Sequence, residues 1–87
     1  MKARALVARN IRRLRVRRDL SQENLAVDAG IDRTYVSRLE RGLENPTIGV
    51  LERLASALHS DMVEFFARPR PGDPPVKPLR GGRRPGR

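Results

Sequence analysis

The stretch from Ser21 to Arg41, SQENLAVDAGIDRTYVSRLER, decides the fold. Ser21 is a good first cap for a helix, because its hydroxyl can accept a backbone N–H from the first turn. Gly30 is a good residue to end that helix, since glycine enters the left-handed region freely. Asp32 caps a second helix that stops at Gly42. Helices of about eight and nine residues joined by so short a link must cross steeply. Leu25, Ala26, Ile31, Val36 and Leu39 are the apolar positions that lock the pair, and the small Ala26 allows close approach. The second helix then projects from the body in the geometry that fits a major groove.

Outward from this pair, residues 1–67 read as helix throughout, with no alternating stretch of strand length. A first helix covers Ala3 to Arg17, where Val7, Ile11 and Leu14 recur at helical spacing. Pro46-Thr47 opens a fourth helix with an apolar stripe of Ile48, Leu51, Leu54, Ala55 and Leu58. Ser60-Asp61 caps a short fifth, Met62 to Ala67, with Glu64 placed for a capping box. The expected class is all-α, five short helices in one domain over 1–67.

Residues 68–87, RPRPGDPPVKPLRGGRRPGR, hold six of the seven prolines and four of the seven glycines. That density breaks helices and leaves nothing to bury, so a disordered basic tail is expected. The chain carries 19 Lys and Arg against 10 Asp and Glu, a net charge of +9, which suits a polyanionic partner. Seven of those cations and one acid fall in 68–87, so most of the excess charge lies outside the helical part. Seventeen of the cations are arginine, whose planar fork suits phosphate and guanine edges. The lone tyrosine and two phenylalanines argue against a stacking surface for single strands.

Residues 11 to 66 resemble the Cro/repressor-type (XRE) helix-turn-helix family. The likeness is carried by Ile11-Arg12-Arg13-Leu14-Arg15, Leu20-Ser21-Gln22-Glu23, Leu25-Ala26, Ala29-Gly30-Ile31, Val36 through Gly42, Asn45-Pro46-Thr47, Leu51, Leu54-Ala55, Ala57-Leu58 and Phe65-Phe66, in register without insertion. The departures are His59 at the usual helix-ending glycine, Val63 at a common acidic position, and Gly49 within the fourth helix. The resemblance implies a lambda-repressor-like fold and a sequence-specific regulator of transcription that binds double-stranded DNA as a homodimer on a two-fold operator. In bare size the chain resembles small phage-type repressors and the controller proteins of restriction-modification systems.

At about 100° per residue, Val36 and Leu39 mark the inward face of the second motif helix. Thr34, Arg38 and Arg41 point nearly opposite, with Ser37 beside them and Arg33 on the exposed first turn. Arg33, Thr34 and Arg38 are therefore the expected base contacts, and Tyr35 is expected to be part-buried against the preceding helix. Gln22, in the first turn of its helix, suits a phosphate, and the resemblance gives it that role. Asn45 and Thr47 form a second expected phosphate clamp, with Ser37 and Arg41 as further candidates. The resemblance also implies a partly buried ion pair between Arg15 and Glu40. Reading two half-sites requires a dimer. Its surface is expected at Met62, Val63 and Phe66, because Val63 is one apolar group more than a short helix can bury.

The chain has no cysteine and one histidine, His59, so no metal site or cofactor is expected. No phosphate loop, nucleophile elbow or zinc-binding helix motif occurs, which argues against an enzyme. There is no apolar run of membrane-spanning length and no secretory leader, so a cytoplasmic protein is expected. Two other readings stay open: a DNA-binding antitoxin or adaptor that holds a small protein partner, and an RNA-binding module, which the missing aromatics disfavour.

Overall fold

The computed structural model describes residues 1–73, 75 and 76. The chain forms four α-helices, α1 (Ala3–Arg17), α2 (Gln22–Ala29), α3 (Arg33–Glu40) and α4 (Ile48–Ala57), followed by a 3-10 turn, Met62–Phe66. Among the described residues there is no strand. Helix α2 crosses α3, α4 closes over α2, and α1 lies across α3 and along the 3-10 turn. Ile11, Leu25, Val36, Leu39, Leu54, Leu58 and Phe65 are fully buried where these elements meet.

Local chemistry fixes the starts of α2, α3, α4 and the 3-10 turn, and the ends of all four α-helices. Ser21 accepts from the Asn24 N–H, Asp32 from Thr34, Thr47 from Val50 and Asp61 from Val63, which satisfies donors that a helix start leaves unpaired. Each α-helix stops the same way, at a residue with positive φ: Asp19 (61°), Gly30 (69°), Gly42 (74°) and His59 (51°). In each case the next residue's N–H reaches back across the final turn, as Leu20 does to Arg15, Ile31 to Ala26, Leu43 to Arg38 and Ser60 to Ala55.

The fifth helix is corrected to a five-residue 3-10 turn that ends at Phe66. The Glu64 N–H closes onto the Asp61 carbonyl and the Ala67 N–H onto Glu64, both three-residue steps. Pro69 then biases Arg68 away from the helical region. The Glu64 side chain lies 3.6 Å from Arg13 Nη2, toward α1 and away from the turn's own backbone. Ile48 also departs from the expected stripe. As the first residue of α4 it lies past the layer that covers Leu51 and Leu54, and it stays 65% exposed while Val50 packs against the core.

One polar residue organises the far side of the bundle. Asn10, fully buried on α1, donates to the carbonyls of Phe65 (2.9 Å) and Ala67 (2.8 Å), while its side-chain oxygen accepts from Arg9 and Arg13. Beyond it, the Asp73 carboxylate accepts from the Arg70 backbone N–H and lies 3.8 Å from Arg9. Residues 68–73, 75 and 76 carry no helix or strand. The rest of the expected tail, 74 and 77–87, lies outside the described residues.

Candidate nucleic-acid interface

Helix α3 buries one side and exposes the other. Val36 and Leu39 have no accessible surface, whereas Arg33, Thr34, Arg38 and Arg41 are exposed and Ser37 is half-buried. The polar side is therefore a continuous strip of cations and hydroxyls on a rigid element. Tyr35 is part-buried and packs against the core. Burial first, and the negative charge of Glu44 second, push its phenol above its ordinary value of 10.0.

The strip is anchored from beneath by Glu40, whose carboxylate is completely buried. Arg15 of α1 grips it with two bonds, Nε to Oε2 at 2.6 Å and Nη2 to Oε1 at 2.9 Å. Arg15 Nη1 also donates to the Leu20 carbonyl at 2.8 Å, and Arg12 Nε lies 3.5 Å from the Glu40 carboxylate. Gln22, at the start of α2, donates Nε2 to Glu40 Oε1 at 3.1 Å. One buried carboxylate thus joins α1, α2 and α3, and it holds the Gln22 amide at the foot of α3. A bidentate arginine with further donors is the arrangement that makes a buried charge tolerable.

On the other flank, Asn45 and Thr47 are exposed. The Thr47 oxygen is occupied as the α4 cap, which leaves its O–H to donate outward. Arg53 Nη1 reaches the Gly30 carbonyl at 3.4 Å and ties α4 to the turn between α2 and α3. At the opposite end of the molecule, Val63 is 71% and Phe66 47% exposed, Met62 is half-buried, and Phe65 fills the core beneath them.

Sequence reasoning missed the Gln22 and Arg12 contacts to Glu40 and the Arg53 bond to Gly30, and it missed two further partners. Glu44 binds Arg38, and Asn10 binds the carbonyls of the 3-10 turn. A chain-reversing glycine two residues before an acid, Gly42 and Glu44, is the one hint of the first, while nothing local marks the second. Among the described residues, no group of three acidic or metal-ligating side chains is placed to hold an ion. No helix among them is long and apolar enough to cross a membrane.

Residues 11–65 match the helix-turn-helix family HTH_3, and the chain belongs to that family. It is 44% identical over 65 residues to the uncharacterized HTH-type transcriptional regulator y4dJ of Sinorhizobium fredii, covering 75% of this chain and 84% of the relative. Among solved structures it is similar to the restriction-modification controller protein C.AhdI from Aeromonas hydrophila. There the identity is 39%, the TM-score 0.70, and coverage 71% of this chain and 94% of that one. It is also similar to the controller protein C.Esp1396I, determined as a tetramer in complex with its natural 35 base-pair operator. In that case the identity is 35% and the TM-score 0.70, over 76% of this chain and 87% of that one.

Proposed function

We propose that the chain is a transcriptional regulator, not an enzyme, whose residues 1–67 bind double-stranded DNA sequence-specifically as a homodimer on a two-fold operator. The observation that carries this reading is the exposed strip of α3 together with a glutamine pinned to its buried carboxylate. Arg33, Thr34 and Arg38 read base edges in the major groove. Gln22, Ser37, Arg41, Asn45 and Thr47 grip phosphates on either side and set the register. The Arg15–Glu40 bridge holds the two groups in one frame. Met62, Val63 and Phe66 pair with a second copy, so that two recognition helices meet successive turns of the duplex about 34 Å apart. The likeness to a controller protein solved on its operator supports this arrangement, and on this reading the chain acts in the cytoplasm.

Binding-site selection from random duplex DNA tests the reading. The expected result is an enriched site with two inverted half-sites whose centres lie about one helical turn apart. Recovery of no preferred sequence would overturn it.

A further inference from the structure

The guanidinium of Arg38 is already engaged on the outer face of α3. Its Nε donates to Glu44 Oε2 at 2.7 Å, and Nη2 donates to the Leu43 carbonyl at 3.4 Å. The backbone brings these groups together. Gly42 turns the chain at φ 74°, its N–H returns to Leu39, and the Leu43 N–H returns to Arg38. The chain doubles back, and Glu44 comes alongside the helix it has just left.

Both partners are open to water, with side chains 45% and 27% exposed, and an ion pair of that kind adds little stability. Its effect is on geometry and on charge. Arginine reads guanine with two parallel N–H donors, and a guanidinium has two edges able to supply them. With Nε and one side of Nη2 held by the loop, the edge left facing outward is Nη1/Nη2. The loop thereby fixes a side chain that would otherwise sample many rotamers. A carboxylate on a surface that meets phosphates also repels every duplex alike, whatever its sequence.

We propose that Glu44 is a specificity-determining residue, which presents Arg38 end-on to one base pair and lowers affinity for duplex of any other sequence. It is a positioning residue, acting through Arg38, and the proposal rests on the DNA-binding reading above.

The test uses the full chain, its Glu44→Gln and Glu44→Ala variants, and Arg38→Ala to locate the base pair that Arg38 reads. Each protein is taken through selection on random duplex DNA and then titrated on the selected duplex and on an unrelated duplex of equal length. Both Glu44 variants are expected to melt as the parent does. Both should bind the unrelated duplex about threefold more tightly and with a steeper salt dependence. Glu44→Ala should also flatten preference about fivefold at the position that Arg38→Ala flattens, and nowhere else. Glu44→Gln, which removes the charge but keeps an acceptor, should flatten it less. If the parent enriches no sequence, the DNA-binding reading fails and takes this proposal with it. If the parent enriches a site, but Glu44→Ala keeps its base preference or strengthens both duplexes equally, the Glu44 proposal alone is overturned.

Discussion

Arg38 and Gln22 face the same ligand in different ways on the proposed reading, and substitution separates them. Arg38→Ala should cost about 1–3 kcal/mol at the selected site and relax preference at one base pair, as removal of a base-reading side chain does. Gln22→Ala should weaken all duplexes to a similar degree, because phosphates carry no sequence. Equal weakening on selected and random duplex for Arg38→Ala would make that residue a phosphate ligand. His59 offers a stability test far from this face. It ends α4 at φ 51°, a region that penalises any side chain with a Cβ. Glycine removes the penalty but adds freedom to the unfolded chain, so His59→Gly should stabilise by about 0.5–1 kcal/mol net. Thermal melting should show this as a rise of a few degrees. The Tyr35 phenol gives a third readout. Because its folded pKa is raised, its contribution to stability is complete below the unfolded value near 10 and is lost as pH climbs through the folded one. Phenolate absorbance should therefore develop at higher pH in native than in urea-unfolded protein. Glu44→Gln should close only part of that gap, since burial is the larger cause. Coincident titrations would contradict the burial of Tyr35.

Among the elements, legibility in the sequence followed the distance over which each cause acts. Ser21, Gly30, Asp32 and Gly42 mark their helix ends through bonds that close within a turn, so those boundaries could be read from residue types. The outward placement of Arg33, Thr34, Arg38 and Arg41 followed equally from the 3.6-residue period. The 3-10 turn could not be read that way. Five residues favour no helix type by pattern alone, and the geometry is set by Asn10, which holds the Phe65 and Ala67 carbonyls from 55 and 57 residues away. The Arg38–Glu44 pair escaped for a related reason, because the chain reverses between the partners and periodicity does not survive the reversal. The same turn presents Val63 and Phe66 to solvent above a filled core. If they form the dimer surface, Val63→Asp should give a folded monomer with unchanged helical content. Its affinity should fall far more on a two-half-site duplex than on a single half-site. Sedimentation of the unaltered chain as a monomer at tens of micromolar, while it still bound a symmetric site tightly, would remove the dimer from the reading.

Over the whole molecule, charge and fold are unevenly distributed. Residues 1–67 contain twelve Lys and Arg against nine Asp and Glu, whereas 68–87 contain seven against one. Ending the chain at Val76 keeps Asp73, which lies 3.8 Å from Arg9 of α1, and removes Lys77, Arg80, Arg83, Arg84 and Arg87. If those five cations meet DNA, the slope of log affinity against log salt should become shallower by about 0.9 for each phosphate that the shortened chain no longer neutralises, with base preference unchanged. An unaltered slope would assign all of the electrostatic attraction to residues 1–76.

The three-way junction of Arg15, Glu40 and Gln22 also constrains how such a chain can evolve. Replacing Arg15 or Glu40 alone strands a buried charge, at a cost of about 3–5 kcal/mol, a large share of what a domain this small has to spare. Replacing both with apolar residues of similar volume can restore the fold, but it leaves the Gln22 amide with nothing to hold it. On the proposed reading, a lineage crossing from one solution to the other passes either through a severely destabilised protein or through a folded one that binds DNA less tightly. These three positions should therefore change together or not at all. Arg15→Met combined with Glu40→Leu should recover melting temperature while failing to recover DNA affinity, and that dissociation would expose the barrier.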